Sequence, residues 1–180
     1  MIIYRLLSVV LSPLIDLFLL IRKANLKEDK KRFRERFGFP SKERSSGFLV
    51  WVHCASVGES NSIWPLINRI LEQHTQVNIL FTSGTITSAK EITKKLTDKI
   101  IHQFIPVDKF FAVKRFIKHW QPNLAIFVDS ELWPNLTFEA KKSGCSLILV
   151  NGRMSEKSYQ RWLLLHKINL NILKNFSLCF

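Results

Sequence analysis

Acidic side chains are scarce. Fourteen Asp and Glu stand against 27 Lys and Arg, a net charge of +13 over 180 residues, which points to an anionic counterpart: a nucleic acid, a lipid surface or a phosphorylated substrate. Cysteine is also sparse. Cys54, Cys145 and Cys179 are an odd number, lie far apart and include no CxxC pair, so neither a disulfide framework nor a zinc site is supported, and a reduced compartment fits. No GxGxxG or Walker A run occurs, which argues against ordinary dinucleotide or P-loop nucleotide binding. His53, His74, His102, His119 and His166 lack ligand spacing, and no metal is expected. Internal repeats and low-complexity tracts are missing too. Apolar residues are plentiful at 47%, enough for a real core of one domain plus a short appendage.

The longest apolar run, IIYRLLSVVLSPLIDLFLLI at residues 2–21, would extend about 30 Å as a helix, close to a bilayer's hydrocarbon thickness. Arg5, Pro13 and Asp16 interrupt it. It has no small-x-small cleavage site and its basic flank follows the run, so a signal peptide does not fit. A spanning anchor, an interfacial helix and a core helix stay open. Residues 22–44 carry ten Lys or Arg and four Asp or Glu, a net +6. That excess would place the segment on the cytoplasmic side of a membrane, against anionic headgroups. The bland alternative is a solvated helical face with pairs such as Asp29 and Lys30. Nucleic acid is not an expected partner, since the basic run has neither interleaved stacking aromatics nor a reader motif.

After Ser45 and Ser46 the pattern becomes short apolar runs alternating with amphipathic stretches, the mark of βαβ units and a parallel sheet. The runs are Phe48–His53, Val77–Phe81, Ile100–Ile105, Leu124–Val128 and Ser146–Val150, with Phe176–Phe180 opening a sixth. Helical spacing joins Ile63, Leu66, Ile67, Ile70 and Leu71, and again Val113, Phe116, Ile117 and Trp120. Asp108 reads as the N-cap of the second of these helices and Gly144 as the C-cap of the one after Trp133. The expected fold is an α/β doubly wound, Rossmann-like sheet over 45–180 in the order 3-2-1-4-5, behind a membrane helix (1–24) and a basic amphipathic segment (25–44). Its ligand crevice lies outside the carboxyl ends of strands 1 and 4.

Strand 1 runs into Cys54-Ala55-Ser56-Val57-Gly58-Glu59-Ser60 and strand 4 into Asp129-Ser130-Glu131-Leu132-Trp133-Pro134-Asn135. Gly58 permits close backbone approach by a ligand. Glu59 is either a proton acceptor for a hydroxyl, as sugar transfer needs, or a first-turn acid facing the helix dipole. Pro65 blurs where that helix starts. Glu131 is costly to bury alone and is paired or functional. Its candidate partners are Arg153 and Lys157, and Arg153 could instead hold a ligand phosphate or carboxylate. Thr82-Ser83-Gly84-Thr85 reads either as an anion- or sugar-binding turn or as a helix cap.

Taken in order, the basic stretch ending Arg34-Glu35-Arg36-Phe37-Gly38, WVHCASVGES (51–60), TSGTITSAK (82–90), HQFIPVD (102–108), ELWPN (131–135) and NGRMSEKS (151–158) resemble the amino-terminal half of the 3-deoxy-D-manno-octulosonate (Kdo) transferases of lipopolysaccharide synthesis. The resemblance implies the acceptor domain of a GT-B glycosyltransferase that transfers Kdo from CMP-Kdo to a lipid A precursor. Glu59 would be the catalytic base, with Ser56, Gly58, Thr82, Ser83, Glu131 and Arg153 at the acceptor. Asp129 departs from the family pattern, where Glu is common. The CMP-Kdo-binding half would lie beyond Phe180 or on a separate chain, and no other cofactor is implied, so residues 1–180 alone are expected to transfer nothing. A noncatalytic membrane module holding anionic lipid is the alternative.

Overall fold

A computed structural model describes residues 2–129, 132–153, 156, 160 and 172–180. Six strands, β1 (Phe48–Cys54), β2 (Val77–Ser83), β3 (Ile100–Phe104), β4 (Leu124–Val128), β5 (Ser146–Val150) and β6 (Leu178–Cys179), form one sheet in the order β3-β2-β1-β4-β5-β6. Every pairing is parallel. The chain reverses direction across the sheet between β1 and β4, where His53 stands opposite Phe127. The expected order holds, and the sixth strand extends it.

Strand alternation divides the core in two. Leu49 and Trp51 face α5 (Phe110–Trp120) and α6 (Pro134–Lys142), while Val50, Val52 and Cys54 face α3 (Val57–Gln73). Between β2 and β3 runs α4 (Ile86–Thr93). Helical spacing marks the buried stripe fully on α5, where Val113, Phe116, Ile117 and Trp120 are all buried, and only partly on α3, where Ile63 and Ile67 are buried, Ile70 and Leu71 half-buried and Leu66 exposed. Pro65 lies inside α3, whose start is fixed upstream at the cap residue Ser56. Gly144, at φ +88, follows α6 in the left-handed conformation that glycine tolerates best.

The apolar run at the amino end is two helices. They are α1 (Ile2–Val10) and α2 (Ser12–Ala24), bent by 54°. Pro13 sits in the first turn of α2, where it removes a backbone donor and ends α1. Among the described residues no single helix is long and apolar enough to cross a membrane; α1 and α2 meet that test only as a bent pair.

The polar residues of this run dock it on the sheet domain. Arg5 pairs with Glu139 and lies over the rings of Phe110 and Phe138. Tyr4 donates to Asp108 Oδ2 at 2.8 Å, and Lys109 reaches Asp16 at 2.6 Å. Leu19 is buried against the body, while Leu6, Val10, Leu14 and Leu17 stay exposed.

The basic segment is largely consumed by folding. A 3-10 turn, Phe33–Phe37, brings buried Glu35 against the end of β3. There it accepts Phe104 N–H at 2.7 Å and two Arg32 N–H groups at 2.8 and 2.9 Å. Arg36 donates to the Ile105 carbonyl at 2.7 Å, and Arg44 to that of Trp120 at 2.7 Å. Asp29 accepts from the backbone N–H groups of Lys31 and Arg32, so its role is to turn the chain and not to pair with Lys30. Gly38 closes the turn at φ +78, and a Cβ there would lie 2.0 Å from the Ala112 carbonyl oxygen of α5.

Candidate active site

The turn after β1 is a capping box. Ser56 is extended and caps α3; its Oγ accepts Glu59 N–H at 3.2 Å and donates to Glu59 Oε1 at 2.6 Å. Glu59 Oε2 accepts Ala55 N–H at 2.8 Å. This reciprocal arrangement satisfies donors that a helix start leaves unpaired. It holds the Glu59 carboxylate, half-buried, at the carboxyl end of β1 beside the switch point. A carboxylate offers about four acceptor sites, so both oxygens keep capacity for a further hydrogen. At exposed Gly58 an added Cβ would meet nothing nearer than Ser56 Oγ at 3.9 Å, which leaves open space over the turn.

Thr82 and Ser83 belong to β2 itself and are fully buried. Thr82 Oγ1 accepts Trp51 Nε1–H at 2.8 Å and lies 3.0 Å from His53 Nδ1. Ser83 Oγ lies 2.9 Å from His102 Nε2. Both hydroxyls are therefore spent inside the sheet, and the open part of this turn is Gly84 and Thr85. Thr85 caps α4 by accepting Ser88 N–H at 3.1 Å.

The two histidines are neutral. Burial brings His53 down to about 4 and His102 to about 3, and the nearby charges of Arg36 and Arg32 add to the effect. Arg32 Nη1, which can only donate, lies 3.0 Å from His102 Nδ1. His102 thus carries its proton on Nε2 and donates it to Ser83. His53 Nε2 is buried and has no partner.

Asp108 differs from its sequence reading. Lys109 is the N-cap of α5, and the Asp108 carboxylate instead caps α6, accepting Asn135 N–H at 3.0 Å and Leu136 N–H at 2.9 Å. Burial raises its pKa to about 6 despite these donors. Sequence reasoning missed it because its partner helix is adjacent in space and not in sequence.

Asp129 adopts a positive φ of 62° and Asn151 one of 55°, short polar side chains that suit the left-handed turns ending β4 and β5. Arg153 is exposed, with Nε donating to Asn151 Oδ1 at 3.2 Å. Glu131 and Lys157 lie outside the described residues. Among the described residues no group of His, Cys, Asp and Glu has metal-binding geometry. Burial also raises the Cys54 thiol, with Glu59 adding to the shift, so the thiolate is suppressed. A cleft of about 590 Å³ separates α1 and α2 from the carboxyl ends of β1 and β2, and its lining includes His53, Ala55, Gly84 and Thr85.

A parallel Rossmann-like sheet of this order, with its crevice and acidic turn at the switch point, is that of the amino-terminal domain of GT-B glycosyltransferases. The family described as 3-deoxy-D-manno-octulosonic-acid transferase (kdotransferase) matches residues 31–180, and the chain belongs to it. It is 41% identical over 174 residues to the 3-deoxy-D-manno-octulosonic acid transferase of Rickettsia bellii, covering 97% of the chain and 41% of that protein. A probable mitochondrial enzyme of the same description from Arabidopsis thaliana is 40% identical over 178 residues, covering 97% of the chain and 40% of the relative. The Haemophilus influenzae enzyme is 30% identical over 162 residues, covering 88% and 38%. The chain thus spans less than half the length of these relatives.

Proposed function

We infer that this chain is the acceptor-binding half of a Kdo transferase of lipopolysaccharide synthesis, acting on a lipid A precursor, with CMP-Kdo held by a donor half outside residues 1–180. The observation that carries this reading is the Glu59 turn: a half-buried carboxylate with spare acceptor capacity, held by Ser56 and Ala55 at the switch point of the sheet. Glu59 takes the proton from the attacking sugar hydroxyl, and its rigid cap fixes the direction from which that hydroxyl approaches. Glu131 and Arg153, which follow β4 and β5 in sequence, are the further acceptor contacts of this reading. Thr82 and Ser83 serve by positioning His53 and His102.

The same reading puts α1 and α2 on the cytoplasmic face of the inner membrane. Their polar residues are bound to the body and one apolar face, with Leu6, Val10, Leu14 and Leu17, points out, so the pair suits an interfacial helix better than a span. Exposed Lys27, Lys30 and Lys31 lie just beyond it, available to anionic headgroups.

The test separates capping from proton transfer. Glutamine serves in a capping box as glutamate does, so Glu59→Gln retains the turn while removing the base. With the chain joined to the remaining portion of the Rickettsia bellii relative, Glu59→Gln lowers kcat by about 10²–10⁴-fold with an unchanged melting temperature. Transfer within a few-fold of the parent removes Glu59 from the base role.

A further inference from the structure

The cleft beside the Glu59 turn has two unlike walls. Leu7, Leu11, Ile15, Phe18 and Leu19 of α1 and α2 form one, and Leu7, Leu11 and Phe18 are also part of the exposed apolar face, at 52%, 44% and 58% exposure. The cleft is therefore continuous with that face. The opposite wall contains Ala55, whose N–H holds Glu59, and Gly84, where an added Cβ would meet no atom within 4 Å. One apolar slot leads from the outer face of the helix pair to Ala55, whose N–H holds the proposed base.

Its polar lining has a definite character. Arg22 and Arg36 share one buried carboxylate, Glu28, at 2.6 and 3.4 Å, and a second carboxylate, Asp108, also lines the slot, so its charges balance. His53 Nε2 is buried without a hydrogen-bond partner and its residue lines the slot, whereas Arg36 Nε faces Glu28 Oε2 at 3.4 Å. Thr82 Oγ1 lies 3.0 Å from His53 Nδ1 and 3.4 Å from the Val52 carbonyl. Given to the nearer atom, its proton leaves His53 with its own proton on Nε2. One buried N–H donor then lacks an acceptor, and an oxygen atom on a ligand would answer it.

We propose that this slot takes one acyl chain of the anionic sugar acceptor, drawn sideways out of the bilayer, with an oxygen at the head of the chain meeting His53. The assignment rests on the acceptor reading above and adds how the acceptor is gripped. A chain passing from bilayer to slot exchanges one apolar surrounding for another, so burial contributes little net affinity. The slot instead fixes the headgroup relative to Glu59, and the unpaired His53 donor selects an oxygen-bearing amphiphile.

The test needs neither a donor half nor turnover. Purified chain 1–180 is titrated with 11-(dansylamino)undecanoic acid below its aggregation concentration, reading dansyl fluorescence. The expected result is saturation at one probe per chain. Ile15→Trp and Gly84→Phe, which fill the slot from opposite walls, each weaken binding at least tenfold. Leu17→Trp, on the exposed face outside the slot, changes it less than twofold. All three variants float with vesicles of phosphatidylethanolamine and phosphatidylglycerol as the parent does, which separates slot from surface. Binding that never saturates, or equal effects of all three substitutions, overturns the slot. Since Glu59 takes no part in this readout, failure of the slot leaves the transfer reading standing, and failure of Glu59→Gln leaves the slot standing.

Discussion

Removal of Glu35 decides what the basic segment is for. If residues 22–44 mainly coat a membrane, Glu35→Ala adds one positive charge to the coat and leaves the fold alone. In the structure Glu35 is 1% exposed and receives Phe104 N–H, two Arg32 N–H groups and the Ser41 hydroxyl. Breaking a buried ion pair by deleting one partner costs about 3–5 kcal/mol. The Arg32 side chain is 27% exposed, and water relieves part of its isolation, which favours the lower end at about 3 kcal/mol. An orphaned Phe104 N–H adds about 1 kcal/mol. The sum, about 4 kcal/mol, corresponds to a melting temperature lower by about 8–16 °C in a chain of this size. Urea denaturation of the purified chain measures the first quantity and calorimetry the second. A loss below about 1 kcal/mol, with altered vesicle binding instead, refutes the clasp and restores the membrane-facing reading.

Gly38→Ala is expected to cost about 3–5 kcal/mol, combining a left-handed φ with overpacking against the Ala112 carbonyl; Gly38→Asn does equal damage because the clash, and not φ alone, is limiting, and a tolerated Asn in denaturant titration contradicts this. The pH dependence of stability is set by opposing groups: His53 and His102, lowered to about 4 and about 3 from 6.5, contribute stability that is lost as pH falls below 6.5, whereas Asp108, raised from 3.8 to about 6, contributes stability that is lost as pH rises toward 6. Between about pH 5 and 6 the unfolded chain holds about one more proton in balance, so stability rises by about 1.4 kcal/mol per pH unit, and Asp108→Asn steepens this to about 2.7. Equal slopes for parent and variant in pH-resolved denaturation remove Asp108 from the account.

The sheet was legible because each strand of a parallel sheet is buried on both faces and must read as an apolar run. The place of Glu59 in the first turn of a helix is legible in the sequence because a helix start is local, with each of its partners within four residues. What stayed hidden was anything whose partner lies far along the chain. Thr82 and Ser83 looked like loop hydroxyls after an apolar run, yet their partners are Trp51, His53 and His102 on neighbouring strands. Asp108 preceded a helix and was assigned to it, while the donors it accepts belong to Asn135 and Leu136. Arg32 and Arg36 counted as surface charge, although they bind backbone carbonyls about seventy residues away, at His102 and Ile105.

Arg5 and Asp16 draw the same lesson toward the membrane. Polar residues in an apolar run of spanning length count against a span, because burying them in hydrocarbon is costly. Here Glu139 and Lys109 answer them from the sheet domain, and Tyr4 joins them by way of Asp108. The residues that spoil the run as a span are thus the ones that fasten it to the body. Fastened on that side, α1 and α2 leave Leu6, Val10, Leu14 and Leu17 outward and wall the cleft at the Glu59 turn with Leu7, Leu11 and Ile15. The same two short helices therefore present one apolar face to the surroundings and another to the crevice, a geometry that a single straight helix crossing the bilayer could not provide.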